Sequence, residues 1–423
     1  MNTVKCNDIN INGQGIVNDE NKLIYVDNLL PNEEARIHLT SKKRGFYLGK
    51  VVERISSSND RVNIKCNICG GCNFPHLSYE KQLELKTREV KNTFKTNDVN
   101  PCVRSEDIYY YRNKIQSPIR RRQDKLVRGM YEEGTQKFIK VNKCYLENEE
   151  AQSAIDDVLF VLNEHHFEQD IKTIYARIAI SNNDIMIALI SLEKLNISED
   201  IINEIIERNS NIKTIINSIK DEDNNVILGK DEVVLYGDGF IVDKLLDNDF
   251  KISLHSFYQI NKKQTERLYD YAIKQANLNK DDVVLDCYSG IGTIGISCAD
   301  KCNKVIGVEV VESAVMNAME NLRINDINNV QYLLNDATKI FKNIGEHVNV
   351  VFLDPSRKGC SREFIDNLIK LSPDRIVYIS CNIETQVRDV EFLKKYYEIK
   401  DIQPFDLFPL TKHIENIILL NKK

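Results

Sequence analysis

The sequence has no hydrophobic run long enough to cross a membrane. Its longest apolar patches, such as Ile185–Ile190 and Ile417–Leu420, have the length of single β-strands, whereas a bilayer span needs ~18 consecutive apolar residues. Met1–Asn10 has no charged segment followed by an apolar core, so we expect no secretion signal. We therefore expect a cytoplasmic protein without a membrane partner.

The composition is that of a globular chain with more than one domain. Of the 423 residues, 42% are hydrophobic and 28% are charged, which excludes the disordered and collagen-like classes. At about 150 residues per domain, the length indicates roughly three domains. The eleven cysteines are odd in number and unevenly spaced. They therefore favour a reducing compartment, with thiols that serve metals or catalysis, over a full disulfide framework.

Charge is unevenly distributed along the chain. The net charge is −6, from 57 basic and 63 acidic residues, and taken whole it argues against nucleic-acid binding. Residues 36–65, however, hold eight lysines and arginines against two acids, and residues 112–143 hold ten against three. Two such blocks suggest a local face that binds a polyanion such as RNA. The alternative is that both blocks are solvated faces balanced by acids elsewhere.

The pattern of apolar runs and turns predicts an α/β protein with three domains. Residues 1–58 contain short strands separated by turns, which indicates a small OB-like β-barrel of a kind that commonly binds RNA. Residues 59–250 predict a mixed α+β central domain, with a helix over Ser78–Phe94. Residues 251–423 alternate strands with amphipathic helices, which predicts a Rossmann-like domain with a parallel sheet. Its predicted strands are Val283–Leu285, Val305–Val308, Val350–Leu353 and Arg375–Ile379.

Each of these four predicted strands ends in a chemically useful residue. Asp286, Glu309 and Asp354 follow the first three strands, and Ser380 leads to Cys381 after the fourth. Ligands of open parallel sheets bind beyond the carboxyl ends of the strands. Four such residues at one edge therefore predict a functional site.

A glycine-rich turn follows the first of these strands. Gly290–Gly295 reads G-x-G-x-x-G between a strand and a helix, and Glu309 ends the next strand. Gly290 lets the backbone approach a ligand closely, and an acid at the second strand end can bind ribose hydroxyls. A dinucleotide and S-adenosylmethionine (SAM) both fit this pattern. Asp286, just before the turn, discourages a pyrophosphate, so we favour SAM.

Cys381 and the C-terminal segment hold the candidate reactive groups. A thiolate at the cofactor edge is a strong nucleophile toward an electron-poor carbon, and a buried strand-end thiol is the alternative. Near the C-terminus, His413 and Glu415 are two positions apart and share a face of a predicted extended segment. Either is a candidate proton acceptor, with Glu415 ahead of His413, unless the segment is a plain surface strand.

A tight cysteine cluster opens the central domain. Cys66, Cys69 and Cys72 form a C-x2-C-x2-C motif, and Cys144 is a candidate fourth ligand. Four thiolates can hold zinc or an iron–sulfur cluster, and the short three-cysteine loop favours iron–sulfur. Both a redox role and a purely structural role are open.

Several motifs follow one another in an order that resembles one known family. Gly13–Gly15 and Leu29–Glu33 lie in the N-terminal domain. The further motifs are Cys69–Cys72 with His76–Glu80, Tyr111–Lys114, Phe257–Asn261, Asp286–Gly292, Asp354–Gly359, Ser380–Asn382 and Phe408–Glu415. Together they resemble the SAM-dependent RNA uracil-5-methyltransferase family, in particular its iron–sulfur, 23S rRNA-type branch. The resemblance covers almost the whole chain and implies that the first domain is a TRAM RNA-binding domain.

The resemblance implies a role for each candidate site residue. Cys381 would be the nucleophile and Glu415 the base. The residues that would contact SAM are Gln259, Tyr288, Glu309 and Asp354, beside Asp286 and Gly290 from the strand-end pattern. The residues that would bind a [4Fe-4S] cluster are Cys66, Cys69, Cys72 and Cys144.

The sequence departs from the family's pattern at four positions. Cys66 is closer to Cys69 than the family's first cluster cysteine usually is. Ser356 and Ile383 stand where prolines are usual, and Leu410 replaces a common histidine. None of these changes removes a reactive group.

The sequence therefore predicts an enzyme that transfers a methyl group from SAM to carbon 5 of a uridine in RNA, through a covalent Cys381–uracil adduct. We expect 23S ribosomal RNA in preference to transfer RNA as the partner, no DNA partner and a monomeric chain. The alternatives are a transfer RNA uracil-5-methyltransferase, a nicotinamide-dependent oxidoreductase with an electron-relay cluster, and a non-catalytic RNA-binding assembly factor.

Overall fold

The computed structural model describes residues 2–19, 22–66, 69–132, 134–135, 137–222, 226–342 and 344–423. Asn67 and Ile68, inside the cysteine motif, lie outside the described residues. The chain divides into two compact units, which are Met1–Ser105 with Ile402–Asn416 (unit 1) and Glu106–Asp401 with Ile417–Lys423 (unit 2). The predicted domain boundaries after residues 58 and 250 stay predictions.

Unit 1 begins with a sheet whose strands alternate buried and exposed side chains. Ile24 and Val26 are buried while the two ends of their strand are exposed, as expected where one face of a strand meets a core. The strands are β1 (Asn2–Lys5), β2 (Asp8–Ile9), β3 (Gln14–Asp19), β4 (Lys22–Asp27), β5 (Glu34–Lys43) and β6 (Phe46–Arg54), in the sheet order β1-β5-β6-β4-β3-β2. Short strands are therefore present as predicted, and their identity as a TRAM barrel stays a prediction.

Helix α1 (Tyr79–Phe94) follows the cysteine loop and confirms the predicted helix. Its buried residues recur every three or four positions, so they share one face of the helix. Two of these buried residues, Gln82 and Lys86, are polar. Buried polar and charged side chains need partners, and theirs lie in the C-terminal segment of the same unit, as described below.

The first sheet of unit 2 packs one face against helix α2, and Ala154, Ile155 and Val158 of that helix are fully buried there. The strands are β7 (Lys114–Arg122), β8 (Lys125–Tyr131), β9 (Phe138–Lys140), β10 (Thr173–Ile178), β11 (Ile185–Ser191), β12 (Ile212–Ile219) and β13 (Asp231–Tyr236), in the order β13-β12-β11-β10-β7-β8-β9. The helices are α2 (Glu149–Glu164) and α3 (Glu199–Arg208), and a separate hairpin follows, of β14 (Phe240–Leu245) and β15 (Asn248–Ser253).

The second sheet of unit 2 contains the predicted parallel strands. Its strands are β16 (Val283–Cys287), β17 (Lys304–Glu309), β18 (Val330–Leu334), β19 (Val350–Leu353), β20 (Arg375–Ser380), β21 (Tyr397–Phe405) and β22 (Glu415–Lys422), in the order β18-β17-β16-β19-β20-β22-β21. The helices are α4 (Lys262–Ala276), α5 (Thr293–Cys298), α6 (Glu312–Ile324), α7 (Arg362–Leu371) and α8 (Ile383–Leu393), with short 3-10 turns at Ala299–Lys301 and Ile340–Lys342.

The chain order of this sheet reverses at β16. Strands β17 and β18 lie in parallel on one side of β16, and β19 and β20 lie in parallel on the other. Such a reversal opens a crevice at the carboxyl ends of the strands, which is where open α/β sheets bind ligands. The α/β class predicted from the sequence is thus confirmed. Within the described ranges, no helix is both long and apolar enough to span a membrane.

Candidate active site

Asp286 lies at the carboxyl end of β16, where the strand order reverses. Its side chain is buried, and Oδ2 accepts a hydrogen bond from the backbone N–H of Gly295 at 3.0 Å. Burial, together with the negative charges of Asp354 and Glu309, raises the pKa of Asp286 to about 7. Burial of its carboxyl group likewise raises the pKa of Asp354 to about 7. The crevice therefore holds carboxyl groups that a cationic ligand would favour in their charged form.

The glycine turn lies directly against Glu309. The Glu309 carboxylate accepts hydrogen bonds from the backbone N–H groups of Gly290 at 3.0 Å and Val311 at 2.9 Å. Gly292 has a φ of 88°, and a Cβ there would lie 2.3 Å from the hydroxyl of Tyr332. Glycine is thus required at this position. The structure joins the glycine turn and the second strand end as predicted, and it adds Tyr332 of β18.

Tyr288 opens the loop after β16 in a strained backbone conformation, with a φ of 65°. Its ring centroid lies 5.6 Å from that of Phe364. Tyr288 also lines an open cleft of about 970 Å³ together with Asp336 and Ser356. Asp336 was not among the predicted site residues. The run Val330–Leu334, which ends two residues before Asp336, is the only local signal for it and is too short to be assigned to a strand from sequence alone.

Gln259 is held by the Tyr111–Lys114 stretch. The buried Asn113 donates its side-chain amide to the backbone oxygen of Gln259 at 3.1 Å and its own backbone N–H to Ile260 at 2.8 Å. Gln259 and Thr293, which follows the glycine turn, line one narrow pocket. The structure therefore brings two separate motifs together at the cofactor edge.

Cys381 is half-buried in the turn between β20 and α8. The next residue, Asn382, caps the helix by accepting the backbone N–H of Glu384 at 3.1 Å, and it donates its amide to the backbone oxygen of Arg357 at 3.0 Å. The thiol-bearing turn is thereby tied to the loop that follows Asp354. Because β17, β16, β19 and β20 are neighbours in parallel, the four predicted strand-end residues share one edge.

Glu415 is the first residue of β22 and is assigned to unit 1, and it is buried, with 2% of its surface exposed. The strand it begins is buried through residue 420, so a plain surface strand is wrong. His413, in contrast, keeps partial exposure, and its ring packs edge-on against Phe408 at a centroid distance of 6.0 Å.

Helix α1 holds the segment that leads to Glu415. Lys86 Nζ pairs with Asp406 Oδ1 at 2.6 Å, and both side chains are fully buried. Gln82 accepts the backbone N–H of Leu410 at 3.1 Å and donates to the backbone oxygen of Leu77 at 2.8 Å. Leu410 has a φ of 66°, a strained conformation that persists only where surrounding contacts determine it. Helix α1 therefore fixes the segment of unit 1 that leads to Glu415, the candidate base.

We expect Lys86→Met to lower the free energy of unfolding by ~3–5 kcal/mol, because it leaves the Asp406 carboxylate buried without its partner. Thermal unfolding of the variant measures the loss. The double variant K86M/D406L removes both charges and should recover much of the lost stability. On the same helix, Lys81→Met removes an exposed pair with Glu84 and should change stability little. A K86M protein with the same free energy of unfolding as wild type would contradict this prediction.

The four predicted cluster ligands are divided between the two units. Cys66, Cys69 and Cys72 lie in unit 1 and Cys144 in unit 2, each half-buried. Over the described part of the chain, no group of three or more His, Cys, Asp or Glu side chains is arranged to hold a metal ion. The [4Fe-4S] cluster therefore stays a prediction from the motif, and no chemical step is assigned to it.

Comparison with known proteins shows which family the chain is similar to. A model of the tRNA (uracil-5-)-methyltransferase family matches residues 78–423. An uncharacterized RNA methyltransferase of Oceanobacillus iheyensis is 34% identical over 442 residues, covering 100% of this chain and 96% of the relative. One from Staphylococcus aureus strain MSSA476 is 35% identical over 438 residues, covering 98% and 97%.

A solved structure is similar over nearly the full length of the chain. The crystal structure of Pyrococcus abyssi tRNA (uracil-54, C5)-methyltransferase in complex with S-adenosyl-L-homocysteine superposes with a TM-score of 0.82 at 25% identity, covering 99% of this chain and 100% of that one. Fold, site and relatives define a SAM-dependent RNA methyltransferase. The chain belongs to the tRNA (uracil-5-)-methyltransferase family, which confirms the family predicted from the motifs.

Proposed function

We propose that the protein methylates carbon 5 of a uridine in RNA by way of a covalent Cys381–uracil adduct. The observation that carries the proposal is the position of the Cys381 turn, at the same sheet edge as Asp286, Glu309 and Asp354. A nucleophilic thiol beside a SAM crevice is what alkylation of a poorly nucleophilic ring carbon requires. Family membership gives no support to the nicotinamide-dependent oxidoreductase or to the non-catalytic assembly factor.

Each step uses a group of the chain. The Cys381 thiolate adds to carbon 6 of the uracil, and the electron pair displaced onto the ring as an enolate makes carbon 5 nucleophilic. SAM, when bound, supplies the methyl group as a sulfonium. Glu415 then takes the proton from carbon 5, the ring double bond re-forms and the Cys381 thiolate leaves. The target base has to leave its stack to enter the site, at a cost of roughly a few kcal/mol that is smaller in a loop than in a duplex.

The residues proposed to hold SAM surround the switch point. In this proposal the Glu309 carboxylate, which the Gly290 backbone N–H contacts, would bind the ribose, and Tyr288 would supply an aromatic face. Asp286 and Asp354 supply negative charge for the cationic methyl donor. Gln259 completes the set from the pocket beside Thr293.

SAM affinity is expected to fall as the pH drops below about 7, the pKa to which Asp286 and Asp354 are raised. A cationic ligand favours the ionised carboxylates, so binding releases protons near that pH and becomes independent of pH above it. Calorimetric titrations in mildly acidic and mildly alkaline buffers measure the slope. S-adenosylhomocysteine lacks the sulfonium charge and should show a shallower slope. Equal slopes for both ligands would count against these two acids.

The RNA class is proposed from two different observations. The cysteine motif, by its family resemblance alone, favours a uridine in 23S ribosomal RNA. The second candidate is transfer RNA, which the Pyrococcus abyssi structure favours because that enzyme acts on uracil 54 of transfer RNA. The [4Fe-4S] cluster rests on the motif alone, and iron analysis of anaerobically purified protein decides it.

One experiment tests the function and the RNA class together. Purified protein is incubated with methyl-labelled SAM and with ribosomal or transfer RNA from cells that lack the gene, and 5-methyluridine is then mapped. We expect label on carbon 5 of one uridine in one RNA class. Transfer of label to another base, or to no RNA, would refute the proposal.

A further inference from the structure

The strands β7, β8 and β9 present one face to solvent. The pairs Arg120↔Val127 and Arg122↔Lys125 join β7 to β8, and Gly129↔Lys140 and Tyr131↔Phe138 join β8 to β9. Paired residues and every second residue along a strand share a face. This rule places Arg120, Arg122, Lys125, Tyr131, Phe138 and Lys140 on one face, together with Val127 and Gly129, and this face is called the hairpin face below. On the opposite face, Ile119 and Leu126 are buried in the core with α2.

The hairpin face carries positive charge that no ion pair among the described residues neutralises. Arg120, Arg122, Lys125 and Lys140 are all exposed, and none forms an ion pair with an acidic residue in the described ranges. Asp124, in the turn, and Glu132, just after β8, lie at the ends of the hairpin.

The other arginines of the same basic block are engaged elsewhere in unit 2. Arg121 donates to the backbone oxygens of Phe167 and Glu168, and Arg128 pairs with Asp156 at 3.0 Å. Arg128 is thus buried in the fold and Arg121 is engaged with backbone oxygens, whereas the exposed cations of the hairpin face are available to a ligand.

Two aromatic rings lie among these cations in fixed positions. Phe138 packs over Gly129, where an added Cβ would lie 2.5 Å from the ring. The Arg122 guanidinium carbon lies 5.2 Å from the centroid of that ring, and Tyr131 meets it edge-on at 6.2 Å. Arg120 donates to the Tyr131 hydroxyl at 3.0 Å, while 42% of Tyr131 stays exposed. The rings are thus held as a platform whose outer surface is open.

We propose that the hairpin face binds single-stranded RNA that flanks the methylated uridine, an inference that rests on the proposed function. Exposed aromatic rings stack on unpaired bases, and the interleaved cations contact the phosphates. In a duplex the bases stack on each other, so no base face is free to stack on the aromatic rings. An acidic protein surface would satisfy the charges but has no counterpart for the aromatic platform.

The test compares two variants of the hairpin face with wild-type protein. R122Q/K140Q removes two cations, and Tyr131→Leu removes one ring while keeping apolar bulk. Fluorescence anisotropy measures the affinity for a labelled single strand and for a duplex of equal length, at several salt concentrations. The control K370Q/K395Q removes two exposed lysines elsewhere in unit 2, so its net charge equals that of R122Q/K140Q.

R122Q/K140Q should weaken single-strand binding and reduce the slope of log affinity against log salt by about 1.4, at about 0.7 per phosphate contact. Tyr131→Leu should weaken it about tenfold with the slope unchanged. Neither variant should change the SAM affinity or the maximal methylation rate. The RNA concentration that gives half of the maximal rate should rise in both. The proposal would be overturned if both hairpin-face variants bound single-stranded RNA as tightly as the control variant does. It would also be overturned if Tyr131→Leu lowered the affinity for single strand and duplex by the same factor. If wild-type protein methylates no RNA, the proposed function fails instead, and the binding data still decide the hairpin face.

Discussion

Cys381→Ser is expected to reduce methyl transfer to RNA by at least about a thousandfold, equivalent to ~4 kcal/mol in the activation free energy. A serine hydroxyl is scarcely ionised near neutral pH and adds to carbon 6 far more slowly than a thiolate. Cys381 is not among the residues proposed to hold SAM, so SAM affinity should stay within about twofold of wild type.

The matched control for this prediction is Cys360→Ser. Burial raises the pKa of Cys360 to about 12, so this thiol is no nucleophile at neutral pH. Its Sγ lies 3.8 Å from the hydroxyl of Tyr378, and a serine keeps the size and polarity of the side chain there. Cys360→Ser should therefore keep most of the activity. Methylation by Cys381→Ser at the wild-type rate would refute the covalent mechanism.

Glu415→Gln is expected to slow turnover by about 10²–10⁴-fold, the usual contribution of a general base. Glutamine keeps the size of the buried side chain but cannot take the carbon-5 proton. The reaction should then stop after methyl transfer, with the RNA still bonded to Cys381. A denaturing gel with labelled RNA measures this adduct, since a covalent complex survives denaturation and migrates as a larger species.

Two control variants test whether the adduct needs the Cys381 sulfur and whether Glu415 is the base. The double variant C381S/E415Q should form no adduct, because the attacking sulfur is missing. His413→Asn should turn over normally, since the partly exposed ring packs on Phe408 and has no assigned proton to take. Accumulation of the adduct in His413→Asn and not in Glu415→Gln would assign the base to His413 and overturn the role of Glu415.

Local sequence patterns were enough to predict the four parallel strands and the residues at their carboxyl ends. The four predicted strands begin within one residue of the observed ones, and helix α7 follows the Ser361 cap, whose hydroxyl accepts the backbone N–H of Phe364 at 3.1 Å. The same kind of signal precedes α2, where Asn148 accepts the backbone N–H of Ala151 at 3.0 Å, but that helix was not predicted. Strand β18 was missed too, and with it Tyr332 and Asp336, because short apolar runs of five residues are ambiguous.

The sequence by itself determined the family, the order of the motifs and the reactive groups at the strand ends, because each depends on residues within a few positions of one another. Only the tertiary structure decided which polar groups meet. Lys86 pairs with Asp406, 320 positions along the chain, and within one basic block Arg128 turns inward while Arg122 faces solvent. Such pairings depend on how distant segments pack, and a buried charge persists only where that packing supplies its partner.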